Sequence, residues 1–157
     1  MNIRLRNFLE REKVWFVHET HRTAYTAQEV AQEEHVPGKL VAKTVVVKVD
    51  GGFALAVMPA TARADFARLK SALGAKEVRL ATELEFTGMF PDCEVGAMPP
   101  FGNLYGVPVY VDAALTQDRE IIFNAGTHQD TVRMRYADFE RLALPKIFAF
   151  ALGRAAA

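Results

Sequence analysis

Residues 40–60 read LVAKTVVVKVDGGFALAVMPA: a β-branched run, a DGG turn at 50–52, and a second apolar run. Valine and threonine favour extended backbone, and Asp-Gly favours the tightest turns, so the segment predicts a β-hairpin. A hairpin this apolar must be covered by other elements, which makes it the strongest constraint on the fold. Alternation along the first strand puts Lys43 on the same face as Val45, Val47 and Val49. Lysine is almost never fully buried without a partner. Lys43 therefore either sits at the strand's start and reaches solvent, or projects into a cavity where it meets an anion.

Around the hairpin the signals alternate without a strict βαβ rhythm. Residues 2–12 place Ile3, Leu5, Phe8 and Leu9 on one side of a helical wheel, which predicts an amphipathic first helix. VWFVH, 14–18, predicts a strand. Thr26 followed by Glu29 has the spacing of a capping box, so a second helix should start there and stop at HVPG, 35–38. A third helix is expected over 62–73, with Phe66, Leu69 and Leu73 at helical spacing and Gly74 ending it. KEVRL, 76–80, predicts a strand, and Thr82 with Glu85 caps a short helix running to about Phe90. VPVYV, REIIFNA (119–125) and TVRMRY (131–136) predict strands. Asp138 is expected to cap a further helix, and KIFAFALGR after Pro145 a last one. The mixture predicts an α+β fold with a mostly antiparallel or mixed sheet.

With 157 residues, half of them hydrophobic, the expectation is one domain spanning 1–157. Nineteen basic residues balance nineteen acidic ones, so any polyanion must be held by a local patch. The single cysteine, Cys93, has no basic neighbour in sequence to lower its pKa and reads as an inert thiol in a reducing compartment. The charged start MNIRLRNFLEREK lacks a signal peptide's apolar core, and no apolar run approaches the roughly 20 residues of a membrane span, so a cytoplasmic protein with no membrane partner is expected.

Three glycines and three prolines fall within residues 96–108. Such a loop is shaped, and it serves either as a connector between strands or as a pocket floor with backbone amides aimed at a ligand. His128, in NAGTHQD, is either a turn residue or, beside a pocket, a group able to donate a hydrogen bond or move a proton. Arg133 and Arg135 share a strand face that is either solvated or a small phosphate patch. His18 and His21 are spaced HxxH without a helix to align them, and no metal site is expected. No GxSxG elbow, Walker loop or GxGxxG follows a strand, so a hydrolase here would depend on positioned water and backbone donors.

VAKTVVV, GAMPPFG and NAGTH, in that order and at that spacing over roughly residues 14–145, resemble the YbaK/prolyl-tRNA synthetase-associated domain family. The resemblance implies a mixed, β-barrel-like sheet surrounded by helices. It also implies a free-standing deacylase that hydrolyses mischarged aminoacyl-tRNA in trans, with no cofactor. The substrate it suggests is a small or medium amino acid on tRNA specific for proline. Carried over by residue, it assigns Lys43, Gly96, Pro100 and His128 to catalysis and Thr44, Ala97, Met98, Phe101, Gly102 and Gly126 to substrate binding. The partner is the 3′ acceptor end of the tRNA, with an aminoacyl-tRNA synthetase as a further candidate and the oligomeric state open. Two other functions fit the same residues. One is a non-catalytic acceptor-end or nucleotide-binding module that assists a synthetase, and the other a small-molecule esterase.

Overall fold

In the computed structural model, which describes residues 1–34 and 37–153, Asp50 and Gly51 both take positive φ, 48° and 86°. Two successive left-handed residues make the turn whose twist matches that of paired strands. Val49 therefore sits opposite Gly52, and the register runs without a break to Ala42 opposite Pro59.

Before this hairpin come α1 (Ile3–Arg11), β1 (Phe16–Thr20) and α2 (Ala27–Glu33). The hairpin is β2 (Ala42–Val49) and β3 (Gly52–Pro59), followed by β4 (Ala62–Ala64), α3 (Phe66–Leu73), β5 (Val78–Leu80) and α4 (Glu83–Phe86). After the Gly/Pro loop come β6 (Val109–Asp112), β7 (Glu120–Asn124), β8 (Asp130–Arg135), α5 (Tyr136–Ala143), β9 (Lys146–Phe148) and β10 (Ala151–Gly153). The expected stop of the second helix at His35 and Val36 lies outside the described residues.

Five strands form one sheet in the order β5-β2-β3-β6-β9, three form another in the order β1-β8-β7, and β4 pairs with β10. Among the described strand pairs, β3–β6 and β6–β9 are parallel and the others antiparallel. A parallel bridge, Val41 to Ile122, ties the two larger sheets together. This is the expected α+β fold with a mixed, mostly antiparallel sheet, though the sheet does not close into a barrel. One core lies between the two sheets and takes Leu5, Phe8 and Leu9 from α1 and Phe139 and Leu142 from α5. A second lies under α3, where Leu69 meets Val47, Ala56, Met58 and Phe150. A small third cluster holds Val30 and Ala31 of α2 against Val41, Ala60 and Ile122. No described helix is long and apolar enough to cross a membrane.

Local caps behave as the sequence predicts. Thr26 accepts from Glu29 N at 3.0 Å, Thr82 and Glu85 form the reciprocal box, and Gly74 ends α3 in the left-handed region. Several expectations are corrected. Ile3 is exposed, so α1 buries only Leu5, Phe8 and Leu9. The third helix starts at Phe66, because Asp65 caps it by accepting from Ala67 and Arg68 N–H while residues 62–64 are taken by β10. The helix after Thr82 ends at Phe86. Asp138 lies inside the first turn of α5, whose N-cap is Arg135. The last segment is extended. Leu144 takes φ 50°, β9 adds to the open edge of β6, and the buried Asp112 carboxylate accepts from Phe150 and Ala151 N–H at 2.9 and 2.8 Å.

Candidate active site

A cavity of about 400 Å³ opens where β2 begins. Residues 42–45 of β2, including Lys43 and Thr44, form one wall, and Asn124 at the end of β7 continues it. Tyr25 and Thr26, at the start of α2, form the opposite side, and Gly96 and Met98 supply the floor. The rim is fixed by the helix cap, since the Glu29 carboxylate accepts from Tyr25 N–H at 2.9 Å while Thr26 caps the helix. Tyr25 is 70% exposed and stands at the mouth with its ring 4.8 Å from that of His128. Among the described residues that line it there is no Ser, Cys, His, Asp or Glu.

The floor is held from behind by the NAGTH turn. Glu94 N–H donates to Gly126 O at 2.8 Å, Gly126 N–H to Ala97 O at 2.9 Å, and Ala97 N–H to Glu94 O at 3.1 Å. His128 Nε2 lies 2.7 Å from Val95 O. A carbonyl only accepts, so Nε2 carries the proton and donates it. The remaining ring nitrogen, Nδ1, is buried without a hydrogen-bond partner. Gly126 takes φ 97°, and a Cβ there would stand 2.6 Å from that of Asn2. Asn2 in turn donates from its side chain to Asp92 O and from its backbone to Ala125 O, both at 2.9 Å. Gly96 takes φ 83°, which an L side chain rarely adopts.

This bracing decides which amides are available. The Ala97 N–H is used within the loop, whereas those of Gly96 and Met98 donate to no described residue. Pro99 and Pro100 have none to offer. Of the residues singled out from sequence, the cavity brings together Lys43, Thr44, Gly96 and Met98. Ala97, Pro100, Phe101, Gly102, Gly126 and His128 lie behind them. Phe101 is fully buried, edge-on to Phe8, Phe123 and Phe139 at 5.3–5.8 Å between centroids. Gly102 sits where a Cβ would come within 2.3 Å of Val107 O. Sequence reasoning missed Tyr25 and Asn124 as cavity residues and took Thr26 only for a cap. Asn124 stood inside the quoted NAGTH, but its position two residues before the glycine carried no signal of its own.

Other candidates resolve as local structure. His18 Nε2 pairs with Asp130 at 2.6 Å. Arg133 pairs with Glu19 at 3.7 Å, and Arg135 lies over the Trp15 ring. Burial pushes the Cys93 thiol above its ordinary range, and its Sγ lies 3.1 Å from the Tyr105 hydroxyl.

The family model described as "Aminoacyl-tRNA editing domain" matches residues 21–142. Over 114 residues the chain is 33% identical to the multifunctional Ser/Thr-tRNA deacylase ProXp-y of Escherichia coli (strain K12), covering 69% of this chain and 68% of that protein. Among solved structures, the hypothetical protein APE2540 superposes with a TM-score of 0.85 at 18% identity, over 95% of this chain and 99% of that one. A candidate trans-editing enzyme for prolyl-tRNA synthetase superposes with a TM-score of 0.83 at 22% identity, over 97% of both chains. At these identities the two structures speak to the fold alone.

Proposed function

The chain belongs to the aminoacyl-tRNA editing domain family, and from that premise we propose that it is a trans-acting aminoacyl-tRNA deacylase that clears small or medium non-cognate amino acids, serine and threonine first among them. The choice of serine and threonine follows the name of the Escherichia coli relative. Polar groups in the cavity wall, Thr44 among them, suit such side chains. The tRNA specific for proline is the proposed carrier, and the acceptor end the part that is held.

The observation that best supports this reading is the pairing of Lys43 with two unengaged amides, Gly96 and Met98, around one cavity. When water attacks the ester carbonyl, negative charge develops on its oxygen. Rigid N–H donors stabilise that charge without having to reorganise. The ester C–O bond then breaks, the ribose oxygen leaves with a proton, and free amino acid and uncharged tRNA result. Among the described lining residues there is no Ser, Cys or His, and in this reading water is the attacking group, with the neighbouring ribose hydroxyl of the substrate helping to position it. Lys43 is a compact point charge suited to a phosphate, so its role is to anchor the terminal nucleotide and aim the ester. Side-chain size is sensed by Ala42, Val45 and Met98, which discriminate by about 1–3 kcal/mol per methylene.

The test is deacylation of tRNA carrying alanine, serine, cysteine, threonine or 2-aminobutyrate, with wild type and a Lys43→Ala variant of verified fold. Fast clearance of serine or threonine, with a loss of roughly 10- to 100-fold in Lys43→Ala, is expected. Equal inactivity of both proteins across the panel would discard the enzyme and favour a module that only binds the acceptor end.

A further inference from the structure

Among the described residues, four buried side-chain polar atoms have no hydrogen-bond partner: His21 Nε2, Asn124 Oδ1, His128 Nδ1 and Arg133 Nε. Of these residues only Asn124 lines the cavity that holds Lys43. A buried acceptor without a donor is costly, and a native fold that keeps one at a cavity wall invites a ligand group as the missing partner.

Its neighbourhood says which group. Val41 and Ile122 are bridged in parallel, and two residues further along each chain stand Lys43 and Asn124. Alternation keeps each on the same side of its strand as the bridged residue, so the apolar cluster around Val41 and Ile122 gives way to a cation beside a neutral amide. An aminoacyl ester also presents two charges, the phosphates of the terminal nucleotide and the α-ammonium next to the ester carbonyl. Lys43 suits the first and repels the second. Among the described lining residues no carboxylate is present to receive an ammonium, and Thr26 Oγ1 already accepts from Glu29 N. An amide oxygen has two lone pairs, and a bond from an ammonium is charge-assisted. The terminal amide torsion of asparagine is broad, so rotation about it can present the oxygen to the cavity.

We propose that Asn124 binds the α-ammonium of the aminoacyl group and so turns the ester carbonyl toward the Gly96 and Met98 amides. This rests on the deacylase reading above. It adds a residue that recognises what all aminoacyl esters share, leaving side-chain choice to the rest of the wall.

The test compares seryl- and alanyl-tRNA with the same esters after nitrous acid has converted the α-ammonium to a hydroxyl. Each enzymatic rate is divided by its own uncatalysed rate. Wild type should prefer the ammonium esters. Asn124→Leu, close in shape but without an acceptor, should lose roughly 10- to 100-fold on both ammonium esters and far less on the deaminated ones, so the preference collapses. Asn124→Asp should keep or widen the preference, and it decides the matter if the leucine variant does not fold. Equal slowing of ammonium and deaminated esters in either variant would reduce Asn124 to structural support and overturn the proposal. A loss confined to seryl-tRNA would also overturn it, by assigning the amide to the serine hydroxyl. Wild type that clears none of the four esters would remove the deacylase reading itself, a result distinct from an active wild type whose preference survives Asn124→Leu.

Discussion

Replacing His128 separates a strut from a proton carrier. Its Nε2 donates to Val95 O at 2.7 Å, its ring faces Tyr25, and its Cε1 lies 3.5 Å from where a Cβ on Gly96 would stand. Truncation to alanine removes one hydrogen bond, with a net contribution of about 1 kcal/mol. It also leaves a void under the loop that costs about 1–2 kcal/mol more, less than a large core residue because the ring is only partly enclosed by apolar atoms. The sum, about 2–3 kcal/mol, corresponds to a Tm lower by roughly 5–10 °C for a domain of this size. Because the lost bond is the one that ties residue 95 to the NAGTH turn, Gly96 should also shift, and kcat/KM for deacylation should fall by roughly 10-fold, about 1.4 kcal/mol. Glutamine, whose amide N–H can reach the Val95 carbonyl, should recover most of both losses. The assays are urea unfolding and deacylation rates from pH 5 to 9 for wild type, His128→Ala and His128→Gln. In the strut role, the pH dependence is the same in all three. If instead alanine removes a limb of the pH–rate profile, glutamine is no better than alanine, and stability barely changes, then His128 moves protons and is not a strut.

Two further outcomes test the same frame. Gly102→Ala puts a Cβ 2.3 Å from Val107 O and 2.8 Å from Val109 Cγ2. It should lower stability by about 2–4 kcal/mol in urea unfolding, whereas Gly106→Ala, with positive φ but open space, should cost only about 1 kcal/mol. Tyr25→Ala removes the exposed ring at the cavity mouth. If that ring stacks on a base of the acceptor end, KM should rise at least 5-fold, consistent with a stacking contribution of about 1–3 kcal/mol, with kcat little changed and Tyr25→Phe near wild type; a fall in kcat at constant KM would refute the stacking.

What could be read from the sequence was what neighbours along the chain decide. The hairpin follows from β-branched residues and an Asp-Gly turn, and the caps at Thr26, Thr82 and Gly74 from interactions three or four residues apart. Segment 146–153 was misread as a helix because its partners are distant. The open edge of β6 and the Asp112 carboxylate, 38 residues from Phe150, claim its backbone N–H groups. The same holds for residues 62–64, drawn into a strand by a partner at the other end of the described chain. In the site, Lys43 was legible because a charge broke an apolar alternation. Tyr25 was not, because an aromatic beside a helix cap looks the same whether it faces a cavity or solvent.

The Gly/Pro loop combines flexible and stiff residues because the floor of the cavity must do two things with one short stretch of backbone. Between residues 96 and 100, Pro99 and Pro100 remove two of the five N–H groups, and the Ala97 N–H is turned back to Glu94. That leaves Gly96 and Met98, alternate residues whose amides remain available beside the cavity. Gly96 holds φ 83°, a conformation that L side chains rarely adopt, and the neighbouring carbonyls of Val95 and Ala97 are held by His128 and Gly126. The motif residues that do not touch the cavity thus fix the position of the two that do. A substitution behind the loop should therefore reach activity through geometry, and it should do so in proportion to the stability it removes, whereas a substitution at Lys43 or Asn124 should change rate with little change in stability.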